Sequence, residues 1–344
     1  VKLLVITQKV DKNDPILGFF HRWLEEFTKH VEQMTVICLE KGEHRLPGVK
    51  VLSLGKEEGR SRLKYVWRFY KYLWQERKNY EAVFVHMNPV YIILAGFWWK
   101  ISRKSIYLWY THRQVDLKLR IAEKFVHKIF TAAEESLGLL TPKKIVMGHG
   151  IDLEKFNCFG QKKQSNRLVI LHVGRLTKIK NCIVLLNTAE LLKKKGVSFE
   201  LKFVGGPVTL EDQDYLKFLQ EFVKQAKLES FVQFVGFVSN DKMPHYYYQA
   251  DLTVNLAPTG GIDKAVLESM ACGVPVVVFN KAFVDYLDQW SSDLLLRDLS
   301  PIELSEKIIS LVDKKEEIGI DIKEKIKGKI DLSVFVKKLL KEIA

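Results

Sequence analysis

Ten residues, His172-Val-Gly-Arg-Leu-Thr-Lys-Ile-Lys180-Asn181, set a glycine and two spaced cations behind an apolar run. Gly174 lets the backbone turn. Arg175 and Lys180 then project from a strand's carboxyl end, where two fixed cations neutralise a diphosphate. A solvated basic loop is the competing reading, because lysine is abundant in this chain. A second segment runs Pro258-Thr-Gly-Gly-Ile-Asp-Lys-Ala-Val-Leu-Glu268-Ser-Met-Ala-Cys-Gly273-Val-Pro275. It reads as glycine turn, helix, glycine stop and strand. Gly260 and Gly261 expose backbone N–H groups at the helix start, a site for phosphate or sugar hydroxyls. Glu268 stands among Ala265, Val266, Leu267, Met270 and Ala271, where a carboxylate is costly without a partner. A ligand's hydroxyl pair, or an internal Arg or Lys, would supply one. Asp263 and Lys264 read equally as ligand-binding groups and as a helix-start ion pair of little worth. His112, in Trp109-Tyr-Thr-His112-Arg113, follows an apolar run; it faces a ligand or is a satisfied core residue. No carboxylate pair of the kind glycosidases use is recognisable, which argues against hydrolysis.

These groups need elements to position them. Apolar runs begin at Leu3, Met34, Val49, Glu81, Ser105 and Lys128, and each reads as a buried strand. Helical periods lie between most of them, at His21 to His30, Arg62 to Lys78 and Leu117 to Val126. Strands alternating with helices predict a parallel sheet covered on both faces. The second half repeats the arrangement with strands beginning at Arg167, Ser198, Phe231, Asp251 and Gly273. The expected fold is therefore α/β, two Rossmann-like, doubly wound parallel-sheet domains facing a central cleft, where the ligands of such sheets bind. Residues 1–156 form the first domain, the polar stretch 157–166 a linker and 167–330 the second domain. Residues 331–344 form an amphipathic terminal helix, which the reading allows to pack back on the first domain.

The chain of 344 residues has ordinary globular composition, with 47% hydrophobic and 28% charged residues. Residues 1 to 150 hold 26 Lys and Arg against 15 Asp and Glu, so +11 of the total charge of +13 lies there. Such a field suggests an anionic partner for the first half. Cys38, Cys158, Cys182 and Cys272 are far apart and lack metal-ligand spacing, and read as reduced thiols of a cytoplasmic protein. The opening residues lack the pattern of a secretory signal. The longest apolar run, Val90 to Trp99, is shorter than the ~20 residues that span a bilayer, so membrane contact is expected to be peripheral, at the inner surface. Arg62 to Lys78 carries Leu63, Trp67, Tyr70 and Trp74 on one stripe, and Lys64, Arg68, Lys71 and Lys78 beside it. That pattern suits an interfacial helix on anionic headgroups. The competing reading packs the aromatic stripe on the sheet, as any helix covering a parallel sheet needs, and is slightly preferred. No nucleic-acid-binding module is recognisable.

Three segments together carry a resemblance: Gly148-His-Gly-Ile-Asp with Phe156, Gly174-Arg-Leu-Thr-Lys-Ile-Lys-Asn181, and Leu267-Glu-Ser-Met-Ala-Cys-Gly-Val-Pro-Val-Val277. In order and separation they resemble a family 4 glycosyltransferase of the GT-B architecture, along the whole chain. The resemblance implies a retaining enzyme that moves a sugar from a nucleotide-diphosphate sugar, UDP- or GDP-linked, to a carbohydrate or lipid-linked acceptor such as a cell-surface glycan precursor. It implies no cofactor and no bound metal. By the same resemblance Arg175 and Lys180 hold the diphosphate, Glu268 the nucleotide ribose, and Gly260, Gly261 and Ile262 line the donor site. Phe237 and Val238 border the base, Gly205 lines the donor pocket, and Gly18 approaches the phosphates on a loop before the helix carrying His21. His112 matches the histidine that faces the donor sugar. Gly260 stands where the family usually has its first glutamate, which leaves that sugar contact to backbone N–H groups, Asp263 or Lys264. A nucleotide-sugar-binding protein with weak or no transferase activity is the alternative, as is an epimerase or phosphorylase on the same architecture.

Overall fold

A strand that is apolar at every position must be buried on both faces. Along the first strand, Leu3 and Val5 enter one hydrophobic layer while Leu4 and Ile6 enter another. The computed structural model describes residues 1–14, 16–59, 61–157, 166–258 and 261–343. The chain divides into two compact units, one of residues 1–150 with the final helix and one of residues 151–331. The division falls after Gly150; most of the expected linker, 158–165, lies outside the described residues.

The first unit runs β1 (Lys2–Val10), α1 (Gly18–Thr28), β2 (Gln33–Lys41), β3 (Lys50–Ser53), α2 (Arg62–Glu76), β4 (Ala82–His86), α3 (Val90–Ile101), β5 (Ser105–Trp109), α4 (Leu117–Glu123), β6 (Lys128–Thr131) and β7 (Lys144–Val146). The second runs β8 (Leu168–Val173), α5 (Cys182–Lys194), β9 (Phe199–Val204), α6 (Leu210–Gln225), β10 (Val232–Gly236), α7 (Met243–Gln249), β11 (Leu252–Asn255), α8 (Lys264–Ala271), β12 (Val276–Val278), α9 (Val284–Leu287), α10 (Ser291–Leu294), α11 (Pro301–Leu311) and α12 (Lys315–Ile330). The final helix, α13 (Leu332–Ile343), belongs to the first unit. The sheet orders are β3-β2-β1-β4-β5-β6-β7 and β10-β9-β8-β11-β12, and every adjacent pair is parallel. In each sheet the winding reverses beside the first strand of its unit, between β1 and β4 and between β8 and β11, and such switch points are where doubly wound sheets bind ligands.

In the first unit, Phe20, Trp23, Leu24 and Phe27 of α1 cover one sheet face together with Phe335, Val336 and Leu339 of α13. Phe69, Leu73, Ile92, Trp99 and Leu119, from α2, α3 and α4, cover the other. Two elements were not foreseen: β7, and α3, whose sequence is apolar on nearly every side and so shows no period. The preferred reading of α2 is corrected. Phe69 and Leu73 face the sheet, while Leu63, Trp67, Tyr70 and Trp74 are exposed. Cys38, Cys182 and Cys272 are buried thiols outside any disulfide, and Cys158 lies outside the described residues. No helix among the described residues is long and apolar enough to cross a membrane.

Phe335 locks α13 in place, its ring 4.5 Å from Trp23 and 5.5 Å from Trp109 between centroids. Gly150 lies against Phe335 and Leu332 so closely that a Cβ there would reach 2.8 Å from Leu332. Phe335→Ala empties this contact and is expected to cost about 3 to 5 kcal/mol. Urea unfolding followed by tryptophan fluorescence checks it, and a loss under 1 kcal/mol would show that α13 contributes little to the unit.

Candidate functional site

Loops leave β8, β9 and β10 through Gly174, Gly205 and Gly236, with φ of 149°, 123° and 84°, a backbone that side chains rarely adopt. The loops are stitched together: the Gly174 N–H donates to the Val204 carbonyl at 2.9 Å and the Gly205 N–H to the Gly236 carbonyl at 2.8 Å. A Cβ on Gly205 would overlap the Gly174 carbonyl, and one on Gly206 would come within 2.9 Å of the Phe237 ring. Three adjacent strands therefore end on bare backbone, with Phe237 half exposed and Val238 beside it. Arg175 follows Gly174 and is exposed, and its charge helps hold the Asp212 carboxyl below the usual range, behind the larger effect of the Thr209 backbone N–H.

Lys180 ends the 3-10 turn that leads into α5, and its ammonium is ion-paired with the Asp263 carboxylate. Asp263 is held three ways. One oxygen also accepts from the Asn255 amide at 2.9 Å, and the other accepts from the Ala265 N–H at 3.2 Å, which caps α8. Burial alone would raise its carboxyl, but Lys180 and Asn255 outweigh that and bring it down to about 2. Asp263 thus pairs with a lysine of the β8 loop and not with its neighbour Lys264. Asn181, at φ 51°, donates its amide to the Leu256 carbonyl at 2.9 Å, a second tie from the β8 loop to the end of β11. Beneath them the buried His172 sits 3.2 Å from the Val254 carbonyl. Burial, with Lys180 nearby, brings His172 down to about 4, so it is neutral at physiological pH.

Glu268, on the buried face of α8, lies 3.0 Å from the Tyr247 hydroxyl. Burial pushes its carboxyl up to about 7, against the pull of Tyr247 and Lys264. Burial also drives Lys264 well below its ordinary value, with Glu268 opposing. The carboxylate therefore has internal company from a tyrosine and a lysine on its own unit. The Gly261 carbonyl accepts from the Asn280 side chain at 2.8 Å and Ile262 is buried, which fixes the turn before α8. Gly260 lies outside the described residues.

The first unit carries the other three candidates. Gly18 opens α1, where a Cβ would lie 3.0 Å from the Lys12 carbonyl. The preceding loop is tied down by Lys9, 2.9 Å from both Asp14 and Glu40. His21 is buried with both ring nitrogens engaged: Nε2 accepts from the Arg45 N–H at 3.1 Å and Nδ1 lies 3.3 Å from Glu25. It anchors the chain beyond β2. His112 is exposed on the loop after β5, its ring 5.4 Å from Tyr110, so it is no core residue. The structure thus gathers Lys180, Asp263 and Asn255 at one point and Glu268, Lys264 and Tyr247 at another, while Gly18, His21 and His112 belong to a separate unit. Asn255, Tyr247 and Asn280 were not foreseen. Asn255 carried a signal, a polar residue closing an apolar strand just before a glycine turn; Tyr247, 21 residues before Glu268, carried none.

Two doubly wound parallel sheets in one chain, with polar groups gathered at strand carboxyl ends, define a GT-B fold. Glycosyl transferases group 1 is the family that matches residues 155–327, half of the chain, and this chain belongs to it. Among its relatives, the amylovoran biosynthesis glycosyltransferase AmsK of Erwinia amylovora is 32% identical over 170 residues, 48% of this chain and 39% of AmsK. The capsular polysaccharide biosynthesis glycosyltransferase CapM of Staphylococcus aureus is 22% identical over 237 residues, 64% of this chain and 59% of CapM. The matches thus span less than two thirds of either relative. Anabaena Alr3699/HepE, crystallised with UDP and glucose, shares the fold with a TM-score of 0.78 at 17% identity, covering 99% of this chain and 98% of its own. The sucrose-phosphate synthase of Thermosynechococcus elongatus gives 0.75 at 14% identity, with 99% and 98% covered.

A carboxyl held below its unfolded value stabilises the folded state above that value, and the contribution disappears as pH falls through the folded one. Asp263→Asn should therefore destabilise the protein by roughly 2 kcal/mol at pH 7, the worth of a carboxyl lowered from 3.8 to about 2. The gap from wild type should close between about pH 4 and 2. Thermal unfolding across that range checks it, and a gap that does not depend on pH would show that the charge of Asp263 contributes nothing to stability.

Proposed function

We propose that the chain is a retaining glycosyltransferase of family 4, which moves a sugar from UDP- or GDP-sugar to a carbohydrate or lipid-linked acceptor. The names of its relatives, drawn from amylovoran and capsular polysaccharide biosynthesis, support a cell-surface glycan precursor as that acceptor. One observation carries the reading: Lys180 seated on Asp263 at the switch point of the second sheet, beside loops stripped to glycine backbone. Lys180 has further N–H donors beyond the one Asp263 takes, and Arg175 is exposed; together they receive the diphosphate. Gly205 and Gly261 offer close backbone approach, Phe237 and Val238 border the base, and Glu268 accepts from the ribose hydroxyls. Gly18 approaches the phosphates, and His112 positions the sugar at the reacting carbon. Ile262 lies in the turn beside the sugar.

The charges suit a front-face displacement with retention. The bond from the sugar's anomeric carbon to the diphosphate oxygen breaks, and the new bond to the acceptor oxygen forms on the same face. The acceptor's proton passes to the departing diphosphate, whose growing charge Arg175 and Lys180 neutralise. This chemistry needs no resident cofactor or metal, and the protein works in the cytoplasm.

Arg175→Ala and Lys180→Ala should each lower kcat/KM about a hundredfold, roughly 3 kcal/mol of transition-state stabilisation. His112→Ala should lower kcat while leaving nucleotide affinity in place. Turnover is followed with UDP- and GDP-sugars, and the product's anomeric configuration by NMR. Wild-type rates in the Lys180 variant, or an inverted product, would overturn the assignment.

A further inference from the structure

Helix α2 carries two apolar stripes, and the sheet uses one. Phe69 and Leu73 are buried, whereas Leu63, Trp67, Tyr70 and Trp74 are 83%, 63%, 43% and 62% exposed. At 100° per residue the four lie within about 60° of one another and extend about 16 Å along the helix. Helix α3 continues the surface. The Tyr70 hydroxyl donates to the Leu94 carbonyl at 2.7 Å, joining the two helices, and Phe97 and Ile101 of α3 are 69% and 66% exposed. Six large apolar side chains on one pair of helices exceed the scattered exposure that a soluble surface carries without function.

The charge on this ridge is mostly of one sign, although Arg68 of α2 is neutralised by Glu58 at 3.1 Å. Residues 62–78 hold six Lys and Arg, and their one acidic residue, Glu76, is buried and paired with Lys50. Residues 90–104 hold three Lys and Arg and no acidic residue. Lys71 lies over the Trp67 ring at 5.1 Å and the Arg77 guanidinium over Trp74 at 4.1 Å, which sets cations at the rim of the indoles. We propose that the outer faces of α2 and α3 dock on the anionic surface of a lipid bilayer. Trp67, Trp74, Phe97 and Leu63 enter the headgroup boundary, and Lys64, Lys71 and Lys78 meet lipid phosphates. Indole rings flanked by Lys and Arg match the headgroup level of a bilayer, where Trp and Tyr are enriched; a second protein with an acidic rim is the competing outcome of the test. The surface stands apart from the proposed sugar transfer, because none of its residues belongs to the groups assigned to the donor.

Flotation of the whole chain with vesicles tests this. Wild type should partition at least about tenfold more into phosphatidylcholine containing phosphatidylglycerol than into phosphatidylcholine alone, and raising salt to about 0.5 M should release most of it. The double variant Trp67→Ser, Trp74→Ser, both sites being exposed, should keep its circular dichroism and lose binding about tenfold or more. The triple variant Lys64→Glu, Lys71→Glu, Lys78→Glu should lose the preference for anionic vesicles. Quenching of wild-type tryptophan fluorescence by brominated lipid reads insertion without any variant. Absence of binding to anionic vesicles overturns the proposal, as does binding that both variants keep. Self-association abolished by Trp67→Ser and Trp74→Ser, without vesicle binding, would overturn it in favour of a second copy.

Discussion

An ammonium and a carboxylate taken largely out of water cost stability unless they pair, and the second unit holds one such pair at the end of its sheet. Lys180 comes from the loop after β8 and Asp263 from the start of α8, 83 residues apart in sequence. They meet because β8 and β11 are parallel neighbours in the sheet, so the loops that leave their carboxyl ends start side by side. Asn255, at the end of β11, and the Ala265 N–H satisfy the rest of the carboxylate. The pair therefore fixes the direction of Lys180, the first turn of α8 and, through α8, the depth of Glu268. It also sets a fixed cation beside the bare glycine turn at Gly174.

Both units solve the same burial problem. A parallel sheet must be covered twice, so each strand feeds alternate residues to opposite layers, and helices on both faces supply the other half of each layer. In the first unit α13 closes one of those layers with Phe335, although it is the last element of the chain. Helix α2 closes the other with a narrow stripe and has a second apolar stripe left over. That surplus separates this helix from an ordinary sheet cover.

The strands were legible because runs such as Leu3 to Ile6 are apolar on consecutive residues. Their alternation with helical periods then leaves little choice but parallel sheets. Helix α3 was not legible, since a helix apolar on nearly every side has no moment to detect. The short β7, Lys144–Val146, has too few residues to show a pattern. Among the candidate functional groups, Arg175, Lys180 and Glu268 stood out by local spacing. What spacing could not show was the partner of each. Asp263 reads as the neighbour of Lys264 in sequence, yet it pairs across the sheet, and Tyr247 reaches Glu268 from another helix. The aromatic stripe of α2 was visible, but which of two apolar faces the sheet would take depends on packing and not on the residues of the helix alone.

The central claim is that a cation at the second sheet's switch point holds a diphosphate. Calorimetric titration of UDP and GDP against UMP and GMP tests it directly, without acceptor or turnover. A diphosphate adds charge-assisted hydrogen bonds worth about 1.5 to 3 kcal/mol, so it should bind roughly ten- to a hundredfold tighter than the matching monophosphate. That preference should shrink several-fold in Lys180→Met, which leaves Arg175 in place. Equal affinity for mono- and diphosphate in the wild-type protein would contradict the account.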